Sequence, residues 1–404
     1  MTILRQAQDE RELNNILTTA DWPRREALRP LIAALGADQM RWVGGAVRDT
    51  LIGAEVHDVD CATVHTPDRV IDLCREAGIR TAPTGIDHGT ITAILDGITV
   101  EVTTLRRDVS TDGRRATVAF ATEWREDAAR RDFTINALYA HPETLEISDY
   151  FGGIEDLAAR RVRFIGNARQ RIAEDHLRIL RYYRFQARFG AELDSEAENA
   201  CSDLAATLKG LSRERIADEL LRLLALADPG ATVERMLSRA VLPVILPETK
   251  RTQVAALRAL IAREAAQGFA PNAIRRLAAL LPPSPDVAED VAARLRLSKA
   301  QRARLISASE RRGEDTEAPR ALAYAISVDF ARDRLLLLDA DVGPLAGWEP
   351  PVFPLKGGKI VARGVGAGPE VARILQSVER AWVAEGFPGE ARIDELLAEA
   401  LSQA

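Results

Sequence analysis

Two aspartates, Asp58 and Asp60, are separated by one apolar residue in a stretch with the alternation of a β-strand. Residues two apart on a strand point to the same face, so both carboxylates converge while Val59 turns towards the core. Two carboxylates placed this way suit Mg²⁺, which prefers oxygen ligands and shares the rest of its shell with substrate phosphates. Alone, an Asp-x-Asp pair is more often a solvated strand end, so the neighbouring sequence must decide.

A pair of glycines, Gly44-Gly45, precedes the aspartates and lies between a predicted strand and a short predicted helix. Glycines let a phosphate approach the backbone closely, and a helix N-terminus offers N–H groups and the positive end of its dipole. Arg48 in that helix adds a cation for the same anion. Taken together, the glycine turn and the acidic pair predict a metal-dependent site that handles a phosphate substrate.

A third carboxylate, Glu101, lies in the predicted strand 98–104, on the face opposite to its apolar residues. It joins the acidic pair if that strand is the neighbour of the aspartate strand. A solvent-facing glutamate is an equally good interpretation, so a catalytic role for Glu101 depends on the order of strands in the sheet.

The elements that must position these residues change character near residue 151. Residues 1–40 predict helical structure that stops at Gly36, and residues 67–77 predict another helix. Short β-type runs occur at 41–43, 59–64, 89–95, 98–104, 117–121 and 146–150. Beyond residue 151 the strand signals end, and helical patterns occur at 168–189, 195–209 and 213–227. The predicted fold class is therefore α+β, a head with a small mixed sheet followed by an all-α region.

The 404 residues carry 54 Lys and Arg against 60 Asp and Glu, and the formal net charge of −6 gives no hint of a nucleic-acid partner. However, nine arginines lie between residues 160 and 190, with only two acidic residues among them. That local excess predicts a polyanionic partner. Three cysteines without metal-ligand spacing, no apolar leader and no apolar run of membrane-spanning length predict a cytoplasmic protein with no membrane partner.

Six motifs occur in order along residues 41–225. They are GGAVRD at 44–49, DVD at 58–60, RRDFTINA at 130–137, DYFGG at 149–153, EDHLR at 174–178, and a segment from Glu214-Arg215 to Leu224. Together they resemble the class II tRNA nucleotidyltransferase (CCA-adding enzyme) and bacterial poly(A) polymerase family, in the DNA polymerase beta superfamily. One such motif could occur by chance, but six in sequence could not.

The resemblance implies three domains. They are a nucleotidyltransferase palm as the head over 1–160, a helical neck for nucleotide selection and RNA binding over 161–235, and a helical body and tail that bind tRNA over 236–404. It also implies the reaction, in which an RNA 3′-hydroxyl attacks the α-phosphate of a nucleoside triphosphate and pyrophosphate leaves.

The same resemblance assigns roles at the site. Two Mg²⁺ ions held by Asp58 and Asp60 would lower the pKa of the attacking hydroxyl and stabilise the leaving oxygen. The residues that match the family's nucleotide contacts are Gly45, Arg48 and Arg131 at the triphosphate, with Gly44 completing the turn, and Asn136 near the ribose.

Selection of the base is expected from residues 174–189, which the sequence predicts to be one helix. Asp175, Arg178 and Arg181 follow one another at three-residue intervals within a stripe of about 120°, with Arg184 at its edge. The alternative is a helix surface laced with ion pairs. The resemblance places Asp175 and Arg178 at the family's amino-acid template for the base. An acceptor beside a donor matches cytosine and adenine but opposes the carbonyl of uracil or guanine, and Arg181 and Arg184 would steady the base or the phosphates.

The leading prediction is a CCA-adding tRNA nucleotidyltransferase that uses CTP and ATP and acts on the 3′ end of tRNA, not on DNA. A poly(A) polymerase with the same head motifs is the alternative, and a split-function enzyme that adds only CC or only A is another. The charged segment 106–115 matches the loop with which the family switches from C to A addition, although a solvated hairpin is also possible. A catalytically silent RNA-binding protein is a different class of function, which the retained carboxylate pair opposes.

Overall fold

A computed structural model gives the structure at residues 16–56, 58–86, 89–112 and 115–402, with the backbone alone at 107–112 and 115–119. These residues form two compact units. The first extends to Glu219 and also takes in Ser238–Ile245, and the second comprises Leu220–Leu237 and the chain from Leu246 onwards. The predictions for residues 1–15 and for the tip of the charged loop at 113–114 fall outside the described residues.

The first unit contains all nine named strands of the described chain. They are β1 (Met40–Val43), β2 (Val59–Thr63), β3 (Arg80–Gly85), β4 (Thr90–Leu95), β5 (Ile98–Thr104), β6 (Arg106–Asp112), β7 (Arg115–Phe120), β8 (Leu138–Ala140) and β9 (Ile147–Asp149). Seven of them form one sheet in the order β3-β4-β5-β2-β1-β8-β9, in which only β2 and β5 are parallel neighbours. Strands β6 and β7 form a separate antiparallel hairpin. The small mixed sheet predicted for the head is confirmed.

Three strands were missed by the sequence prediction, each for a local reason. The edge strand β3 contains Pro83 and is largely exposed, so it lacks apolar alternation. Strand β8 is three residues long and buried throughout, which leaves no alternation to detect. Strand β6 lies in the charged segment 106–115, for which a flexible loop and a solvated hairpin were both open. Backbone pairing from Arg106 opposite Phe120 to Asp112 opposite Arg115 makes that segment a hairpin.

Helices supply the other regular elements of the described structure. Up to residue 245 they are α1 (Arg29–Leu35), α2 (Gly45–Leu51), α3 (Pro67–Glu76), α4 (Trp124–Ala129), α5 (Gly153–Ala158), α6 (Ala168–Glu174), α7 (Arg178–Phe189), α8 (Ser195–Asp203), α9 (Arg213–Leu224), α10 (Gly230–Ser238) and α11 (Leu242–Ile245). Beyond it they are α12 (Arg251–Ala266), α13 (Ala273–Ala279), α14 (Pro285–Arg294), α15 (Lys299–Ser309), α16 (Pro319–Ile326), α17 (Val328–Leu337), α18 (Gly357–Val361), α19 (Pro369–Ala384) and α20 (Glu390–Ser402). Short 3-10 helices lie at Trp22–Arg24, Glu26–Leu28, Ala37–Gln39, Thr134–Asn136, Ala205–Gly210, Gly313–Thr316 and Gly343–Leu345. None of the helices described here is both long and apolar enough to span a membrane.

The segment predicted as one helix over 174–189 is broken, so that prediction is wrong. Helix α6 ends at Glu174, and Asp175 adopts an extended backbone with φ −150° and ψ 103°. Its carboxylate accepts a hydrogen bond from the Leu177 N–H at 3.1 Å, and α7 then begins at Arg178. Aspartate side chains often bond nearby backbone N–H groups in competition with helix, and helical periodicity alone does not reveal such a break.

A buried apolar cluster supports the centre of the sheet. Its members are Val43, Ala62, Leu105, Ala121, Ala128, Ala137, Tyr139 and Ile165. They come from β1, β2, β8 and α4, from Leu105 and Ala121 at the two ends of the hairpin, and from the connections that contain Ala137 and Ile165. Because burial of apolar surface is the main favourable term in folding, this cluster fixes the strands from which the glycine turn and the aspartates project.

The second unit has its own core and its own buried charges. Its last helices pack an apolar cluster around Trp382, made of Leu355, Ile360, Ile374, Val378, Ile393, Leu396 and Leu397. Elsewhere Glu264 accepts hydrogen bonds from Arg275 and Arg276, each at 2.7 Å, and Asp333 accepts one from Arg275 at 3.1 Å. After Asp149 the described residues contain helices and no further named strand, as the all-α prediction required.

Candidate functional site

The acidic pair lies where strand β2 begins, beside strand β5. Asp58 immediately precedes β2, Asp60 is its second residue, and the parallel register places Asp60 directly opposite Glu101. Asp60 is half-buried, whereas Asp58 and Glu101 are exposed. The condition for including Glu101 is therefore met, because its strand is the neighbour of the aspartate strand.

These carboxylates repel one another. Burial, the neighbouring charge of Glu101 and that of Asp58 together raise the pKa of Asp60 to about 6, against an opposing effect of Arg131. No group of three or more Asp, Glu, His or Cys side chains in the described ranges is arranged to hold a metal ion. The excess negative charge and the oxygen donors of Asp58 and Asp60 nevertheless fit a divalent cation that takes its other ligands from water and phosphate.

The glycine turn lies between β1 and α2. Gly44 has a φ of 68°, a conformation that side chains rarely adopt, and its N–H donates to the Leu138 carbonyl at 3.2 Å. A Cβ at Gly44 would stand 3.4 Å from a terminal nitrogen of Arg131. The positive φ is thus the reason for glycine at this position, and the Arg131 guanidinium lies directly beside the turn.

Arg48, in the helix that follows the glycine turn, is hydrogen-bonded to Asn136. The Arg48 guanidinium donates to the Asn136 side-chain oxygen and, at 2.8 Å, to Asp49. It lies 4.6 Å from the centre of the Phe189 ring, and burial lowers its pKa. The Asn136 amide donates in turn to Asp132 at 2.9 Å, so the orientation of both side chains is fixed by partners.

Asp132 connects Asn136 to helix α7. It accepts a hydrogen bond from Arg181 at 2.7 Å. Burial alone would raise the pKa of Asp132, but Arg181 and the Asn136 hydrogen bond outweigh burial and lower it. The charge of Asp132 raises the pKa of Arg181. Arg184, one turn along α7, donates to Glu219 at 2.6 Å.

Asp175 and Arg178, the predicted template pair, each have a different partner. Asp175 accepts from Arg215 at 2.7 Å, and Arg178 donates to Glu174 at 2.8 Å. Arg178 also donates to the backbone carbonyls of residues 171 and 130, at 3.0 and 3.2 Å. These three bonds engage fewer than the five N–H donors of a guanidinium, so Arg178 retains donors for a ligand.

One cavity of about 410 Å³ brings most of the predicted site together. The predicted residues that line it are Gly44, Gly45, Arg48, Asp60, Arg131, Asn136, Asp175, Arg178 and Arg181. Asp58, Glu101 and Arg184 are not among its lining residues, whereas Asp132, Leu177, Phe185 and Arg215 line it without having been predicted. Asp132, Leu177 and Arg215 belong to the quoted motifs and could have been selected on that ground. The Phe185 ring is buried, and no motif quoted above contains it.

The arginine excess between residues 160 and 190 is largely neutralised in the fold. Eight of the nine arginines form ion pairs with acidic residues, most of them outside that segment. The pairs are Arg161–Asp156, Arg163–Asp156, Arg169–Asp203, Arg171–Glu174, Arg178–Glu174, Arg181–Asp132, Arg184–Glu219 and Arg188–Asp49. Counting charge along the sequence therefore overstates the positive charge left for a polyanion.

Comparison with known proteins decides the family. Residues 40–163 match the family described as "Poly A polymerase head domain", and residues 190–252 match "Probable RNA and SrmB- binding site of polymerase A". The mitochondrial CCA tRNA nucleotidyltransferase 1 of Mus musculus is 35% identical over 384 residues, which cover 89% of this chain and 86% of that protein. The chain belongs to the CCA-adding tRNA nucleotidyltransferase family. The family and the enzyme class predicted from the six motifs are thus confirmed.

Solved structures of CCA-adding enzymes share the fold. The Bacillus stearothermophilus CCA-adding enzyme in complex with CTP has a TM-score of 0.76 at 25% identity, covering 95% of this chain and 99% of that one. The Thermotoga maritima CCA-adding enzyme complexed with tRNA-CCA has a TM-score of 0.70 at 18% identity, covering 97% and 98% of the two chains. The predicted α+β class with a nucleotidyltransferase head is confirmed.

Proposed function

We propose that this family member adds C, C and A in turn to the 3′ end of tRNA, using CTP and ATP and releasing pyrophosphate. One observation carries the proposal: a single cavity is lined by Asp60, by the Gly44-Gly45 turn, and by Asp175 with Arg178. A metal ligand, a phosphate-binding turn and a base-reading pair are what one nucleotidyl transfer needs in one place. The CCA tRNA nucleotidyltransferase that is 35% identical along most of the chain supports the choice of substrates.

Asp58 and Asp60 would hold Mg²⁺, with Glu101 as a neighbouring catalytic carboxylate. Two Mg²⁺ ions bound there would lower the pKa of the RNA 3′-hydroxyl and stabilise the oxygen that leaves with pyrophosphate. The protein's part is to keep three negative side chains together on the neighbouring strands β2 and β5, where Asp60 has a pKa of about 6. A bound cation removes that repulsion, which favours occupancy of the site.

The opposite wall would bind the triphosphate and the ribose. The Gly44-Gly45 turn presents backbone without side chains, and Arg48 and Arg131 supply two guanidinium groups. Both cations keep their charge at neutral pH, since an arginine stays protonated in proteins. Asn136, held by Arg48 and Asp132, would face the sugar.

Base selection would rest on Asp175 and Arg178. Arg215 holds one oxygen of Asp175, and Glu174 holds one nitrogen of Arg178. Both groups are thus oriented before a nucleotide arrives, and they present an acceptor and a donor to the amino group and ring nitrogen of cytosine or adenine. A uracil or guanine carbonyl would face a carboxylate and lose its hydrogen bond, which is costly in a pocket. Arg181 would steady the nucleotide directly, and Arg184 would act through Glu219.

The domain boundaries and the location are part of the same proposal. We assign residues 1–160 to the head, 161–235 to the neck, and 236–404 to a body and tail that bind tRNA. We propose a cytoplasmic location, and the relative from Mus musculus bears the word mitochondrial in its name, so fractionation of cells that express the protein is the relevant test.

The deciding experiment offers purified protein a tRNA that ends before its CCA. CTP, ATP, UTP and GTP are supplied separately and then as a mixture, and the products are resolved to one nucleotide. We expect two C additions with CTP, one A after them with ATP, and then a stop. A tRNA that already ends in CCA serves as the control and should not be extended.

A poly(A) polymerase is the second candidate, because residues 40–163 match a poly(A) polymerase head. In the same experiment that enzyme would give long A tails on RNA without a preceding requirement for CTP. Addition of CC alone, or of A alone to a tRNA ending in CC, would identify a split-function enzyme. No addition under any condition, with tRNA still bound, would identify an RNA-binding protein without catalysis.

A further inference from the structure

One buried carboxylate outside the predicted site, Asp127, collects hydrogen bonds from three parts of the first unit. It is 1% exposed and lies in helix α4. Its two oxygens accept from the Arg130 and Arg131 guanidinium groups at 3.0 and 3.3 Å, and from the Tyr139 hydroxyl at 2.7 Å. The fourth donor is the backbone N–H of Arg106, at 3.2 Å.

The Arg106 N–H belongs to the base of the hairpin β6–β7. That base is closed by the Ala121 N–H, which donates to the Leu105 carbonyl at 2.8 Å. The Leu105 N–H donates in turn to the Thr63 carbonyl at 2.7 Å, at the end of strand β2. The base of the hairpin is thus fixed to the strand that carries Asp60 and to Asp127.

Asp127 is also connected to the cavity, because its partner Arg131 lines it. Arg131 lines the cavity beside Gly44, and its guanidinium is held by Asp127 and by the Tyr139 hydroxyl, at 2.9 Å from Nε. Burial would raise the pKa of Asp127, but Arg131, Arg130 and the Tyr139 hydroxyl outweigh burial and lower it to about 2. The carboxylate is therefore charged at any working pH.

We propose that Asp127 is a positioning residue that orients Arg131 towards the triphosphate and joins it to the base of hairpin 106–120. The inference rests on the proposed function, since Arg131 is there assigned to the triphosphate. Only a charged carboxylate accepts from all four donors at once, because an amide offers one acceptor oxygen instead of two. Loss of that charge weakens the hold on the Arg131 guanidinium, which keeps its bond to the Tyr139 hydroxyl, and on the Arg106 N–H at the same time.

The test compares Asp127→Asn with a matched variant, Asp156→Asn, in the full-length protein. Asp156 is also fully buried and also accepts from two arginines, Arg161 and Arg163, and from the Thr134 hydroxyl, but it does not line the cavity. We expect Asp127→Asn to raise KM for both CTP and ATP about tenfold, the effect of one lost charged hydrogen bond. We expect Asp156→Asn to lower Tm by about as much as Asp127→Asn does, but to change KM by less than about twofold.

A second measurement reads the hairpin directly. Amide hydrogen exchange at Arg106 should become about tenfold faster in Asp127→Asn and stay unchanged in Asp156→Asn. Tyr139→Phe, which keeps the ring and removes the hydroxyl between Arg131 and Asp127, gives a milder variant should Asp127→Asn fold poorly. Tyr139→Phe should raise KM about threefold. In the double variant with Asp127→Asn, the combined effect should be smaller than the two single effects added together, because both substitutions act on one network.

Each outcome bears on one proposal. If the wild-type protein transfers C and A but Asp127→Asn and Tyr139→Phe leave KM as it was, the positioning role is overturned and the proposed function stands. Equal KM increases in Asp127→Asn and Asp156→Asn would also overturn it, since a general loss of structure would explain both. If the wild-type protein transfers neither nucleotide, the proposed function fails and the positioning role fails with it.

Discussion

The first unit treats its carboxylates in two opposite ways. On the neighbouring strands β2 and β5, Asp60 lies opposite Glu101 and close to Asp58, and its pKa is raised to about 6. Elsewhere in the first unit, Asp127 and Asp132 are buried among arginines, and the pKa values of both are lowered. The first group, Asp58, Asp60 and Glu101, has an excess of negative charge. In the second group, Asp127 and Asp132, each carboxylate is paired with arginine.

This difference indicates that the two groups of carboxylates have different roles, one in binding and the other in the stability of the fold. Like charges held together destabilise a fold, so the acidic group at β2 and β5 opposes folding, and the cation that we propose it binds would account for its presence. A matched buried pair costs stability only when one partner is removed, and here such pairs orient Arg131 and Arg181 in the cavity. Substitutions in the two groups should therefore change stability in opposite directions.

The largest stability loss is expected for Asp132→Asn, which removes the nearer of the two carboxylates that pair with Arg181. Breaking a buried pair on one side typically costs about 3 kcal/mol. Urea unfolding of the variant and the wild type measures this difference. The control is Asp203→Asn, at the exposed pair with Arg169, where a cost below about 1 kcal/mol is expected. Equal costs in the two variants would contradict the distinction between matched buried charges and surface pairs.

A somewhat smaller loss, of about 2 kcal/mol at neutral pH, is expected for Asp127→Asn. The folded-state pKa of Asp127 is about 2, below its ordinary value of 3.8. The stability that its charge contributes is therefore complete above about pH 4 and is lost as the pH falls towards 2. The free-energy difference between wild type and variant should shrink over that interval. A difference that stays constant from pH 7 to 3 would show that charge is not its origin.

Asp175→Ala is expected to act on selectivity more than on stability. Without the carboxylate, nothing opposes the carbonyl of UTP or GTP, so the preference for CTP and ATP should fall at least about tenfold. Competition between labelled CTP and UTP on the same tRNA measures the ratio. Asp203→Ala again serves as a control, and an unchanged ratio in Asp175→Ala would mean that base choice lies in other residues.

The smallest effect, and one of opposite sign, is expected for Asp60→Asn in the absence of metal. The folded-state pKa of Asp60 is above its ordinary value of 3.8, so ionisation destabilises the protein progressively from about pH 4 to pH 6 and fully above pH 6. At pH 8 in EDTA the variant should be more stable than wild type by about 1 kcal/mol, which is less than the pKa shift alone implies because water screens the charge of this half-buried side chain, and at pH 4 the two should be nearly equal. Mg²⁺ should stabilise only the wild type. A variant that is less stable at pH 8 would contradict repulsion at this site.

The sequence predicted the strands that carry the site better than the contacts within it. The Asp-x-Asp strand, the Gly44-Gly45 turn and strand 98–104 were all predicted at their places, because period-two alternation and glycine turns are local signals. The partners of Asp175 and Arg178 were not predictable in the same way. They depend on the helix break at Asp175 and on Arg215, which is forty residues away in sequence.

Charge patterns were the least reliable guide. The arginines between 160 and 190 suggested a free basic surface, yet their acidic partners include Asp49, Asp132, Asp203 and Glu219. Such pairs form only once distant segments meet, so a running sum along the chain does not register them. The role of Glu101 was undecided for the same reason, because it depended on which strand lies next to β2.

The most direct test of the central claim is the Asp58→Ala/Asp60→Ala double variant, assayed for tRNA binding and for nucleotide transfer in parallel. Removal of both proposed metal ligands should lower the rate of C addition at least about 10³-fold, since a catalytic metal supplies several kcal/mol of transition-state stabilisation. The Kd for tRNA should stay within about twofold of wild type, because RNA binding is assigned to the neck, body and tail. A double variant that still adds C at a rate near that of wild type would contradict the assignment of Asp58 and Asp60.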